Sequence, residues 1–206
     1  MVLGVLALAG CTSKRNVPAS VVGDGPDTVA PRRAMENPAQ EELPAVLFVS
    51  FEATPQDVVD RMLKMARVTR EDVVYDLGCG DGRIVVTAAR RYGCRAVGYD
   101  LDPLRIAEAR HNAERSGVAH LVTIEQKDVL TVDLQEASVV AIYMGTEMNA
   151  RLVPQLRRLK PGARIVSHEF PLGSITPDKT VEMTSHADGR RHKIHLWRCP
   201  LDSGEK

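Results

Sequence analysis

Three glycines at alternate positions, Gly78, Gly80 and Gly82, lie between an apolar run, Val73 to Leu77, and a stretch of helical apolar spacing, Ile84 to Tyr92. A short continuous apolar run suits a strand buried on both faces of a parallel sheet, and Val85, Ala88 and Ala89 mark one face of a helix. The glycines therefore occupy a strand-to-helix turn. There a missing Cβ admits unusual dihedrals and lets a ligand approach the main chain and the helix N-terminus.

The alternation continues downstream. The pattern predicts strands over 73–77, 95–100, 121–125, 139–144 and 163–169, with helices over 82–92, 103–116 and 147–159. This order implies an α/β fold with a mostly parallel, doubly wound, Rossmann-like sheet. Upstream, Thr54-Pro55 predicts a helix start with Thr54 as cap and Pro55 at the first position, and Val58, Val59, Met62, Leu63 and Ala66 form its apolar stripe. Pro154 is expected to kink or restart the helix after Asn149, and Lys160-Pro161-Gly162 to stop it. Asp188-Gly189 lies between two strand-like stretches, Thr180 to His186 and Arg191 to Trp197, and predicts a C-terminal antiparallel hairpin.

The glycine spacing discriminates between ligands. A dinucleotide fingerprint, G-x-G-x-x-G, needs glycine at position 83, which is Arg83. Asp76 precedes the first glycine by two residues. Its carboxylate repels a pyrophosphate and attracts the ammonium of an amino-acid-bearing cofactor, which favours S-adenosylmethionine (SAM) over NAD. Asp100 ends the next predicted strand, 24 residues after Asp76, where a carboxylate can accept both hydroxyls of a ribose. Asp102, directly before Pro103, reads as a helix cap. Asp128 is a third acid at a third strand end.

The run Asp76-Leu-Gly-Cys-Gly-Asp-Gly82 resembles motif I of the class I SAM-dependent methyltransferases. With Thr54-Pro55 before the first helix, Tyr143 to Asn149, and Lys160-Pro-Gly-Ala-Arg-Ile-Val-Ser-His168, the chain resembles bacterial relatives of the ATP synthase c-subunit and adenine nucleotide translocase lysine methyltransferases. The resemblance spans about Thr54 to Trp197 and implies the class I methyltransferase fold. It implies a cofactor held by Thr54, Asp76, Gly78, Cys79, Gly80, Gly82, Asp100, Leu101, Asp128 and Val129, with Asp128 accepting from the adenine amino group. Thr54 is equally explained as a cap, and Cys79 as a small filler of the turn.

The acceptor is expected at the carboxyl ends of the strands, beside Tyr143-Met-Gly-Thr-Glu-Met-Asn149. Tyr143, Glu147 and Asn149 are the candidate catalytic residues. Structural roles compete: Thr146 as a cap, Glu147 at a helix N-terminal dipole, Tyr143 in the core. His168 at the fifth strand end reads as a packing residue or a pocket wall. The expected activity is methyl transfer to a protein lysine nitrogen, the alternatives being a small-molecule acceptor or a SAM-binding protein without turnover. The loop is not the Asn/Asp-Pro-Pro-Tyr/Phe pattern associated with exocyclic-amine methylation.

Composition narrows the partners. Lys plus Arg and Asp plus Glu are 27 each, and aromatics are 4% of residues, so neither a basic field nor a stacking platform points to nucleic acid. Cys11, Cys79, Cys94 and Cys199 show no paired spacing, and His192 and His195 are expected on opposite faces of a strand, so no metal site is expected. Residues 1–11 form an apolar segment whose end, Leu8-Ala-Gly-Cys11, resembles the bacterial lipobox. That resemblance implies a signal segment and a membrane tether through lipidated Cys11; without it the protein is expected in the cytoplasm. Residues 12–44 hold five prolines and read as a disordered linker, residues 45–200 as the methyltransferase domain and 201–206 as a tail.

Overall fold

The computed structural model describes residues 52–202. The lipobox and the Pro-rich linker lie outside the described residues. Among those described, no helix is long and apolar enough to cross a membrane.

The elements in chain order are α1 (Gln56–Met65), β1 (Val73–Leu77), α2 (Arg83–Tyr92), β2 (Arg95–Asp100), α3 (Pro103–Arg115), β3 (Val122–Gln126), β4 (Val139–Ile142), α4 (Thr146–Leu156), β5 (Arg164–His168), β6 (Lys179–Thr184) and β7 (Arg191–Arg198). They build one seven-stranded sheet in the order β3-β2-β1-β4-β5-β7-β6. The first five strands are parallel, and β7 pairs antiparallel with both β5 and β6. The expected doubly wound sheet with a terminal hairpin is what forms.

Strand alternation explains the two layers. Val74, Val139 and Ala141 face a core built with Val58, Met62, Ile84, Val85 and Ala109 from α1, α2 and α3. Their neighbours Tyr75, Leu77, Val140 and Ile142 face the other core, with Met148, Leu152 and Leu156 of α4. Val58, Val59, Met62 and Leu63 are fully buried, so each anchors α1 by about 1.5–3 kcal/mol relative to exposure. At the opposite end from the glycine turn, Arg164 grips Asp72 at 2.8 and 3.0 Å, and Ser138 donates to the same carboxylate at 2.6 Å. This clamp joins β5 to the start of β1.

Several local expectations change. Pro55 itself occupies the cap position of α1, and Thr54 makes no cap bond, because its hydroxyl is engaged with His168 at 3.1 Å. Gly145, not a hydroxyl from Thr146, precedes α4. Helix α4 runs through Pro154 without restarting and ends two residues later at Leu156. Strand β4 stops at Ile142, short of the expected 144, and Glu169 leaves β5 with φ of 61°.

The sheet order fixes where a ligand can sit. From β1 the chain moves outward to β2 and β3, then returns to the other side of β1 as β4. The reversal opens a crevice beyond the carboxyl ends of β1 and β4, the ligand position in doubly wound sheets.

Candidate functional site

Beyond β1 the glycine turn takes left-handed backbone conformations, and two positions show why glycine is needed. A Cβ on Gly82, at φ +77°, would stand 2.8 Å from the Ala109 Cβ, so glycine permits α3 to pack against the turn. A Cβ on Gly78 would meet the Met144 side chain at 3.1 Å. The Gly80 N–H donates to Asp100 Oδ2 at 2.8 Å, and the Asp102 N–H donates to Asp100 Oδ1 at 3.0 Å. Asp100 is thereby fixed against the turn with lone pairs left over. Asp102 caps α3 by accepting from the Leu104 N–H at 2.8 Å, as its sequence position implied.

Asp76 is the electrostatic centre. Its residue is 2% exposed, and burial, reinforced by the charges of Asp100 and Asp81, pushes its carboxyl up to about 8. The charges acting on it are acidic, so the pocket is suited to a cation. An amino-acid ammonium supplies one, so this cluster of acids at the end of β1 fits SAM.

Arg83 stands where the dinucleotide fingerprint has its third glycine. Its guanidinium pairs with Asp81 at 2.6 Å and donates to the Thr54 carbonyl at 2.7 Å, binding the turn to the segment before α1. Thr54 is buried, and Cys79 turns its side chain into the core against Gly98. Burial beside Asp76 and Asp100 pushes the Cys79 thiol up, so it is not a nucleophile. Leu101 is 45% exposed and Leu104 71%, an apolar pair next to Asp100. Leu104 is not among the residues the sequence pattern points to; an exposed leucine on the first turn of α3 is its signal. Asp128 accepts from the Leu130 N–H at 2.9 Å and starts a short 3-10 turn. The Val129 side chain belongs to the core, so its main chain is what it can offer a ligand.

The candidate acceptor-side residues lie at and beyond the ends of β4 and β5. The Tyr143 ring lies 4.1 Å from the His168 ring and stacks on Phe170 at 5.9 Å, and its hydroxyl donates to Glu52 at 3.1 Å. Burial and Glu52 push the Tyr143 phenol up to about 12, so it stays protonated at neutral pH. Glu147 is exposed in the first turn of α4. Asn149 is fully buried, donating to Ser167 at 3.1 Å and to the Phe170 carbonyl at 2.9 Å, while its Oδ1 has no partner. Asn149 thus holds the turn after β5 that carries Phe170. His168 lies against Tyr143; burial, then the neighbouring His192, lowers its basicity to about 4. Phe170 and His168 complete a wall of which the sequence pattern points to Tyr143 and His168 but not to Phe170.

The fold and this arrangement of glycines and acids define a class I, SAM-dependent methyltransferase. Residues 76–179 match the ANTKMT methyltransferase domain model. A protein-lysine N-methyltransferase of Saccharolobus islandicus is 41% identical over 155 residues, covering 74% of this chain and 94% of that protein. The chain belongs to the ANTKMT methyltransferase domain family. The adenine nucleotide translocase lysine N-methyltransferase of Mus musculus is 34% identical over 68% of this chain, which spans 61% of that longer relative. Among solved structures, an RNA methyltransferase from Salinibacter ruber in complex with S-adenosyl-L-homocysteine is 43% identical, with a TM-score of 0.70, covering 75% of this chain and 98% of that one.

Proposed function

We propose that this enzyme methylates the side-chain nitrogen of a protein lysine, and that Asp76 receives the cofactor's ammonium. Asp100 takes the ribose hydroxyls, Leu101, Asp128 and the Val129 main chain border the adenine, and Gly78, Cys79, Gly80 and Gly82 supply the turn, with Thr54 at its flank. The cofactor brings a sulfonium methyl already activated for transfer. The protein's share is alignment and exclusion of water.

One observation carries the lysine reading. At the sheet end that bears Asp76, Tyr143 and Phe170 form an aromatic wall with the carboxylates of Glu52 and Glu169 near it. Aromatic faces suit the aliphatic stem and ammonium of lysine, and the acids raise its local concentration. A lysine nucleophile must arrive or become neutral. Desolvation against the wall favours the neutral amine, and Glu147, exposed in the first turn of α4, is placed to take a proton toward solvent. Tyr143, protonated at working pH, orients the amine and does not act as its base.

The Saccharolobus and Mus relatives, named for lysine, favour a protein acceptor, while the Salinibacter neighbour is named for RNA. Methyl-labelled SAM incubated with the enzyme and separate envelope, cytosolic and RNA fractions decides. Label in a protein band that hydrolyses to methyl-lysine supports the reading; label confined to RNA or to small molecules overturns it. We further propose that Leu8 to Cys11 is a processed lipobox tethering the domain through Cys11. Mass spectrometry of the mature N-terminus tests it: a diacylglyceryl cysteine supports the tether, and an unmodified chain containing residues 1–11 refutes it.

A further inference from the structure

Behind the aromatic wall, β5 and β7 bring three ligand-type side chains together: His168, Glu169 and His192. His168 Nε2 lies 2.9 Å from His192 Nδ1, and Glu169 Oε1 lies 3.5 Å from the first and 3.4 Å from the second. A point about 1.9 Å from all three atoms lies in their plane, and a small displacement out of it reaches the zinc–nitrogen and zinc–oxygen lengths of about 2.0–2.2 Å. Tetrahedral zinc requires ligand separations of about 3.3 Å, close to the three observed. We propose that His168 Nε2, His192 Nδ1 and Glu169 Oε1 bind a divalent transition-metal ion of the zinc class, with a fourth position open to water.

The outer contacts are those such a site needs. His192 Nε2 faces both oxygens of Asp188 at 3.2 and 3.1 Å. A carboxylate there accepts only, so Nε2 carries the hydrogen and Nδ1 presents a lone pair. His168 Nδ1 faces the Thr54 hydroxyl at 3.1 Å, and Glu169 Oε1 accepts from the Lys193 N–H at 3.0 Å. Each ligand is thus oriented by a group behind it. A cavity of about 240 Å³, lined by Glu169, Glu182, Arg191, His192 and Lys193, opens onto the site, and Glu182 draws the charges of Arg191 and Lys193 to itself.

A simple hydrogen-bond chain, Thr54 to His168 to His192 to Asp188, satisfies both imidazoles without any ion. It leaves the Glu169 carboxylate with the Lys193 N–H as its partner and makes no use of its approach to the two rings. Glu169 holds φ of 61°, a left-handed conformation costing on the order of 1–3 kcal/mol for a side chain with a Cβ, and its Oε1 lies 3.5 and 3.4 Å from the two facing nitrogens. An ion at the triangle's centre uses the carboxylate and replaces the one hydrogen between the rings: His168 releases its Nε2 proton to solvent and takes a proton from solvent at Nδ1, where Thr54 turns from donor to acceptor, so the ring stays neutral.

The test is titration of the chelator-treated full chain with Zn²⁺ alone and with Co²⁺ alone, followed by calorimetry and visible absorption. One equivalent bound, with four-coordinate cobalt bands displaced by zinc, is expected. Glu169→Gln, which keeps an oxygen for the Lys193 N–H, lowers affinity roughly tenfold or more, and His192→Asn lowers it further; circular dichroism establishes that both are folded. Absence of saturable binding to the wild type, or affinity unaltered in both folded variants, overturns the proposal. Neither result bears on the methyltransferase reading.

Discussion

Replacing Asp76 with asparagine should move stability and cofactor affinity in opposite directions. In the cofactor-free domain the Asp76 carboxyl is pushed up to about 8 by burial and by Asp100 and Asp81, against an ordinary value of 3.8. Between those limits the folded protein holds a proton that the unfolded chain has released. The contribution to stability is therefore intact below about pH 4 and is lost as pH rises through about 8. By pH 8 the loss is on the order of 5 kcal/mol, each pH unit between the limits costing about 1.4 kcal/mol. Asparagine has the same shape and no charge to desolvate. Urea unfolding of the cofactor-free Asp76→Asn variant should show little difference from wild type near pH 4 and a gain of several kcal/mol at pH 8.

Affinity should behave in the reverse sense. Removing one partner of a buried, hydrogen-bonded charge pair costs about 2–5 kcal/mol, a loss of roughly 30-fold to several thousandfold in SAM binding. For the wild type the carboxyl must ionise to receive the ammonium, so affinity should rise about tenfold per pH unit between pH 5 and 7, a range in which the ligand's amine stays protonated. Calorimetry at pH 6 in buffers of different ionisation enthalpy should count about one proton released per cofactor bound. A variant that is less stable than wild type at pH 8, or that binds SAM within threefold of it, would refute the assignment of the ammonium to Asp76. So would binding without proton release.

Gly82→Ala should cost about 3 kcal/mol in denaturant unfolding, since a left-handed backbone and contact with Ala109 at 2.8 Å add together; Gly189→Ala, at φ +72° with open space around it, should cost only about 1 kcal/mol. Equal losses would remove the packing argument for the third glycine. Burial opposes the charge on Asp72, but Arg164 and Ser138 outweigh it and hold the carboxyl at about 2, so stability is complete above about pH 4 and is lost as pH falls through about 2. Asp72→Asn should remove about 2 kcal/mol at pH 7 and flatten the acid limb of a thermal-unfolding profile; an unchanged limb would contradict the clamp. Tyr143→Phe loses the bond to Glu52 but keeps the aromatic wall, so SAM affinity should stay within threefold of wild type while kcat/KM for the acceptor falls roughly tenfold; a parallel fall in both would place Tyr143 at the cofactor instead.

The chemistry-bearing turn is legible in the sequence because its constraints are local. Alternate glycines, an acid two residues before them and a strand-to-helix context lie within a dozen residues, so Asp76, Asp100 and the capping by Asp102 can be placed from spacing alone. The sites that escape such a reading are joined across the chain. His168 meets His192 only because β7 runs antiparallel beside β5, with His168 opposite Ile194. Strand alternation correctly rejects His192 and His195 as a pair on one face, yet it carries no register from which to see the partner on the neighbouring strand. Thr54 misleads for a related reason. A threonine before a proline satisfies the local rule for a cap, but a buried imidazole 114 residues away competes for the same hydroxyl. Asn149 stands out by its place in the loop, whereas its burial and two donated bonds make it the support of Phe170.

The same long-range contacts also join the two halves of the candidate site. Arg83 leaves the glycine turn and holds the Thr54 carbonyl, and the Thr54 hydroxyl meets His168, whose ring lies against Tyr143. The segment before α1 is thus held from the cofactor side through its main chain and from the acceptor side through its side chain. The first of these bonds has a charged donor at 2.7 Å, which makes it a strong one. Thr54 cannot move without disturbing the buried His168, because an imidazole nitrogen deprived of its partner costs about 1–3 kcal/mol. Two hydrogen bonds, from Arg83 to the Thr54 carbonyl and between the Thr54 hydroxyl and His168, therefore join the glycine turn to the aromatic wall, and a glycine at position 83 would lack the first of them.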